Sequence, residues 1–215
     1  MVKVYIHPAK GGREYGATTY DGLYEKELTL QVAQAVRDIL RRHGVDVMMS
    51  RDKDESLGVI ESIKRCNLYD ADLGVFIEFG NSQDGAVRGF EVHSSFDETS
   101  LSYVAAQIIN KYVLASGFKS NGVLHGNQYD RYAFIRETNC PAVLCRCCYI
   151  DNILDCESFN IKNTAENIAK GILEYFDIEY VEKFYSVQIG TFDNIEDANK
   201  LRRELVAKGY KATII

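Results

Sequence analysis

Five short apolar runs in this chain are separated by stretches whose apolar residues recur every three or four positions. No other feature constrains the fold as strongly. Val2–Ile6, Val45–Ser50, Leu73–Phe79, Gly89–His93 and Ala142–Tyr149 are bounded by turn-forming residues and have the length and branched or aromatic content of strands buried in a sheet. Between them, Glu25–His43 places Leu28, Val32, Ala35, Val36, Ile39 and Leu40 on one helical stripe, and Gly44 supplies the stop. Glu55–Tyr69, with Leu57, Ile60, Ile63 and Leu68, predicts a second helix; Leu101–Ser116, stopped by Gly117, a third; and Thr164–Phe176 a closing one. Strand and helix in alternation imply an α/β fold with a mostly parallel central sheet and helices on both faces. In such a sheet ligands gather at the carboxyl ends of the strands.

The 215 residues suffice for one such domain and a small appendage. A charged seam at Asp177–Lys183 precedes a second pattern: a strand over Phe184–Phe192, a helix over Asn194–Lys208 with Ala198, Leu201, Leu205 and Val206 on one face, and the start of a strand at Lys211–Ile215. We therefore expect domains at residues 1–178 and 183–215. The second is a single βαβ unit, too small to bury much apolar surface alone, so it is expected to pack on the first domain or to pair with another copy.

Charge narrows the partners. With 25 Lys and Arg against 31 Asp and Glu, the net charge of −6 disfavours broad capture of nucleic acid or of an anionic membrane. The amino terminus, Met1-Val2-Lys3-Val4-Tyr5-Ile6, enters a strand directly and has no secretory-signal pattern, so the expectation is a cytoplasmic protein or one released by other means. Four of the six cysteines, Cys145, Cys147, Cys148 and Cys156, follow Cys140 closely, yet paired zinc-ribbon knuckles are missing. They read as buried thiols in a reducing compartment.

Two positions are out of keeping with their surroundings. Glu78 lies inside the apolar run Phe76-Ile77-Glu78-Phe79, and Arg146 lies between Cys145 and Cys147. A charge in such a strand is costly unless it is paired. His7, His93 and His125 lack the mutual spacing of a metal site and read as structural. Tyr15, Tyr20, Tyr24, Tyr129 and Tyr132 offer either a stacking surface for sugar or peptide or the edges of a core.

Several stretches, in order, resemble the zinc-dependent N-acetylmuramoyl-L-alanine amidases of bacterial cell walls and phage endolysins. They are Ile6-His7-Pro8-Ala9-Lys10-Gly11-Gly12; Gly16-Ala17; Glu25-Lys26-Glu27-Leu28-Thr29-Leu30; Ser50-Arg51-Asp52; Asn67 with Ala71-Asp72; Arg88-Gly89-Phe90-Glu91-Val92; and Ile135-Arg136-Glu137-Thr138-Asn139-Cys140-Pro141-Ala142-Val143-Leu144. The resemblance spans roughly residues 2–176. The tail, through Tyr185-Ser186-Val187-Gln188-Ile189-Gly190-Thr191-Phe192, Glu196-Asp197-Ala198 and Leu201, is similar to one half of a SPOR-type peptidoglycan-binding repeat. Either a second copy completes it, giving a homodimer through residues 184–215, or the half unit serves as a docking element.

The resemblance implies a tetrahedral zinc held by two His and one Glu, with a second Glu as general base. By motif position the first His falls on Lys10, the ligand Glu on Glu25, the second His on Glu78 and the base on Arg146. Only Glu25 keeps its chemistry: Lys and Arg have no lone pair to give while charged. The expectation is that zinc is lost and that Lys10, Glu25, Glu78 and Arg146 form an ion-pair cluster in its place, two cations against two carboxylates. The corresponding function is that of an inactive amidase homologue that binds peptidoglycan or muropeptide, or regulates. An active amidase with a different metal arrangement and a self-associating structural protein are the alternatives.

Overall fold

The computed structural model describes residues 1–125, 132–182 and 187–214. It divides into two units, Met1–Val181 and Glu182–Ile215. In chain order the first unit contains β1 (Lys3–Pro8), α1 (Glu25–Arg42), β2 (Asp46–Met49), α2 (Val59–Tyr69), β3 (Leu73–Gly80), β4 (Phe90–Ser94), α3 (Leu101–Ala115), β5 (Ser120–His125), α4 (Ala133–Glu137), β6 (Ala142–Tyr149), α5 (Ile153–Ser158) and α6 (Ile161–Tyr175). Its six strands form one sheet in the order β2-β1-β3-β6-β4-β5. All neighbours run parallel except β4 and β6.

The period of two along each strand separates the sheet's faces. Val4 and Ile6 of β1, Val75 and Ile77 of β3, Val92 of β4, and Val143 and Cys145 of β6 belong to the larger core, together with residues of α1, α3 and α6. Their alternates, Tyr5 of β1 and Ala142 of β6, join Ile63, Cys66 and Phe134 in a smaller core beneath α2 and α4, with Phe76 of β3 packed against it. Helices α3 and α6 touch so closely that a Cβ on Gly171 would lie 2.6 Å from the Ile109 Cα. That spacing explains glycine at this point of a helix that otherwise disfavours it.

Four differences from the sequence reading have local causes. Helix α2 begins at Val59, after Gly58, rather than at Glu55; Asp54 and Ser56 are engaged instead with the loop that leaves β1, through Gly12 N–H to Asp54 at 2.7 Å and Ser56 Oγ to the Gly11 carbonyl at 2.8 Å. Strand β5 lies in the span expected to be loop. Its residues Ser120-Asn121-Gly122-Val123-Leu124-His125 form a sheet edge of intermediate to exposed burial and so carry no apolar run. The short helices α4 and α5 span too few residues to show a helical period. Of the cysteines, Cys140 and Cys156 are only partly buried.

The second unit holds α7 (Ile195–Ala207), capped by Asn194, whose side chain accepts from the Asp197 N–H. The strand expected over Phe184–Phe192 is not present in its described portion, residues 187–192, and residues 211–214 of the other expected strand are irregular. Residues 184–186 and Ile215 lie outside the described residues. None of the side chains of α7 is buried, and Ile195 and Val206 are exposed, so among the described residues of this short unit nothing covers an apolar surface from which a sheet could gain stability.

Candidate functional site

The loop after β1 turns sharply through Lys10, Gly11 and Gly12, with φ of 64°, 134° and 56°. Arg51, 1% exposed, fixes its base. The guanidinium donates to the carbonyls of Pro8 at 3.2 Å, Ala9 at 3.1 Å and Lys26 at 2.8 Å, and to Thr29 Oγ1 at 3.1 Å. It is a buried cation bound to neutral oxygens, and burial pulls its pKa down while Asp54 and Glu55 act the other way. Lys26 adds a second tie, from Nζ to the Gly12 carbonyl at 3.0 Å and to Asp54 at 2.7 Å. The Lys10 side chain forms no ion pair with any described residue and is exposed.

Glu25 opens α1 and is 5% exposed. Its carboxylate accepts the backbone N–H of Ala17 at 3.1 Å and of Phe79 at 3.3 Å, so it links the first helix to the end of β3. Gly16, at φ 73°, makes room: a Cβ there would lie 2.3 Å from Glu25 Oε2. Burial raises the Glu25 pKa, against the two N–H groups and the charge of Lys10, and Glu78 raises it further.

The densest polar group lies across three adjacent strands. Arg146 of β6 is the register partner of Glu78 on β3 and of Glu91 on β4. Its Nη2 and Nε reach Glu78 Oε1 at 2.7 and 2.9 Å, and its Nη1 reaches Glu91 Oε2 at 2.7 Å. Burial alone would lower the Arg146 pKa, but the charges of Glu78 and Glu91 hold it above its ordinary value. Glu91 is more enclosed. Although burial raises its pKa, hydrogen bonds from His93 at 3.1 Å, Asn121 at 3.0 Å and Tyr149 at 2.9 Å, with the charge of Arg146, bring it down to about 2. With Glu91 ionised, the His93 proton is assigned to Nε2; the ring stacks on Tyr132 at 4.9 Å.

The four sequence-predicted residues are thus only partly united. Glu78 and Arg146 are a direct pair, and Glu25 is within electrostatic reach of Glu78 and Lys10. A closed cluster of four does not form, because backbone N–H groups already satisfy Glu25 and because Lys10 sits on an exposed left-handed turn. The second carboxylate on Arg146 is Glu91, in the Arg88-Gly89-Phe90-Glu91 stretch; it alternates with the buried Phe90 and Val92, and the pairing of β4 with β6 sets it opposite Arg146. His7 is buried, shares a 2.8 Å hydrogen bond with Ser50 and packs on Phe76, and burial and then Arg51 lower its pKa to about 3. His125 faces Glu98 at 3.3 Å. The rings of Tyr15 and Tyr24 lie 4.9 Å apart, Tyr20 is exposed, and Tyr129 lies outside the described residues. Among the described residues no three His, Cys, Asp or Glu side chains group as metal ligands, and no helix is long and apolar enough to cross a membrane.

The family model of N-acetylmuramoyl-L-alanine amidases matches residues 4–176. The chain belongs to that family. The SPOR domain model matches residues 181–215. Over its whole length the chain is 30% identical to N-acetylmuramoyl-L-alanine amidase CwlM of Bacillus licheniformis and 29% identical to the sporulation-specific N-acetylmuramoyl-L-alanine amidase of Bacillus subtilis (strain 168), spanning 85% of each. The catalytic domain of the amidase CwlV from Bacillus (Paenibacillus) polymyxa var. colistinus superposes with a TM-score of 0.76 at 30% identity, covering 83% of this chain and all of that domain. This amidase-family chain therefore has the α/β sheet of amidase catalytic domains.

Proposed function

We propose that this amidase-family protein binds peptidoglycan or its muropeptides without cleaving them. The observation that carries the reading is the Arg146 guanidinium held between Glu78 and Glu91 at the motif position of the family's general base. A guanidinium cannot accept the proton of an attacking water. The same donor set does not fit the family's zinc, which takes three protein ligands and leaves one position open. Of the three matching positions, Lys10 carries a cation, Glu78 has an oxygen engaged by Arg146, and Glu25 alone keeps the ligand's chemistry, its carboxylate accepting the Ala17 and Phe79 N–H groups. A divalent ion would also have to compete with the Arg146 guanidinium for Glu78. Hydrogen bonds hold the surrounding loops: Arg51 and Lys26 fix the loop after β1, and Glu25 ties α1 to the end of β3. The SPOR match over residues 181–215 supports the cell wall as the place of binding.

The test is to mix the full chain with purified sacculi in zinc-containing buffer, sediment, and analyse both fractions. The expected result is protein in the pellet and no alanyl peptide in the supernatant. Protein left in solution contradicts binding, and released peptide contradicts inactivity.

A further inference from the structure

A second pairing occupies the face of the sheet that carries Arg146. Cys66 of α2 and Cys140, in the turn entering β6, are separated by 74 residues in sequence, and their sulfurs lie 3.8 Å apart. Cys66 is fully buried in the smaller core with Ile63, Phe134 and Ala142. Cys140 is partly exposed. The two backbones are fixed to each other by Asn67, the neighbour of Cys66: its amide donates to the Glu137 carbonyl at 3.1 Å, and its oxygen accepts the Asn139 N–H at 2.7 Å. On the other side of Cys140, the Pro141 carbonyl accepts the Gly74 N–H at 2.9 Å.

The geometry points to a modification site in which Cys66 and Cys140 are joined in a reversible disulfide by a small-molecule disulfide oxidant. The sulfurs need to close to about 2.05 Å, a movement open to Cys140 because it lies in a turn rather than in a strand. Cys140 is the attacking group. Its hydrogen bond with Cys66 lowers its pKa below the ordinary thiol value, and it is the member of the pair that solvent reaches. The Cys140 thiolate attacks one sulfur of the oxidant, forming a mixed disulfide and releasing one thiolate. Cys66 gives up its proton and attacks the Cys140 sulfur, releasing the second. Two protein thiols are oxidised and one oxidant disulfide is reduced to two thiols. Of the competing cysteines, Cys145, Cys147 and Cys148 are buried, and burial pushes the Cys145 thiol up to about 12; Cys156 is partly buried like Cys140, but burial raises its pKa whereas that of Cys140 is lowered. Closing the bond ties α2 covalently to the entry of the strand that carries Arg146.

The probe is oxidised glutathione added to the folded full chain, followed by thiol counting and peptide mapping. Two of the six thiols should disappear, with residues 66 and 140 in one cross-linked peptide that dithiothreitol separates. Cys140→Ser, at a partly exposed position, should fold and keep its remaining thiols; oxidation should raise the melting temperature of the wild type and not of this variant. A glutathione adduct on Cys140 that never transfers to Cys66, a cross-link between other cysteines, or an unreactive folded protein would overturn the proposal.

Discussion

Arg146 and Glu78 face each other across the parallel strands β6 and β3, and two guanidinium nitrogens converge on a single carboxylate oxygen at 2.7 and 2.9 Å. Glu91 occupies the corresponding place on the opposite neighbour, β4. The sheet thus presents a carboxylate-guanidinium-carboxylate row whose order is fixed by register.

The first prediction concerns that row. Arg146→Ala removes the guanidinium paired with the Glu78 and Glu91 carboxylates, leaving Glu91 with the hydrogen bonds of His93, Asn121 and Tyr149, and should cost on the order of 3 kcal/mol in a urea titration. The double variant Glu78→Gln with Arg146→Met should lose clearly less than the sum of the two single changes, since residues in direct contact do not act independently.

Acid should remove stability over two overlapping pH windows. A buried base with a lowered pKa contributes stability that is lost as pH falls from its unfolded value of 6.5 toward its folded one; for His7 the folded value is about 3. An acid with a lowered pKa contributes stability present above its unfolded value, here 4.5, and lost as pH falls toward about 2, the folded value of Glu91. Melting temperatures against pH should therefore slope less in the upper window for His7→Asn and less in the lower window for Glu91→Gln. Equal slopes in wild type and variants would remove these two groups from the account.

Arg51→Lys should not behave as a conservative change. A lysine ammonium cannot span the carbonyls of Pro8, Ala9 and Lys26 together with Thr29, so a loss of about 2–3 kcal/mol is expected, with faster hydrogen exchange in the loop after β1.

Gly16→Ala should disturb Glu25 directly, because the added methyl would occupy the place of its carboxylate oxygen and the backbone there has φ of 73°. A destabilisation of about 1–3 kcal/mol is expected from strain at such a position.

The sheet was legible because its inner strands are buried on both faces, and continuous apolar runs mark such strands whatever lies around them. Edge strand β5 was not legible, since half-exposed residues such as Asn121 and His125 leave no such signature. Within the site, Glu78 and Arg146 were detectable as charges in apolar strands. Their true third partner, Glu91, was not, because its pairing depends on β4 running antiparallel beside β6, which only the assembled sheet determines. Lys10 shows the converse: motif position placed it in the pocket, while the left-handed turn at φ 64° and its exposure kept it out of any ion pair.

Loss of the metal is measured by zinc calorimetry on the wild type and on a Lys10→His, Glu78→His, Arg146→Glu triple variant. The wild type should show no saturable zinc binding, and the variant, whose residues restore two imidazoles beside Glu25, binding near one equivalent. Stoichiometric, tight zinc binding by the unaltered chain that is lost on Glu25→Gln would contradict that loss.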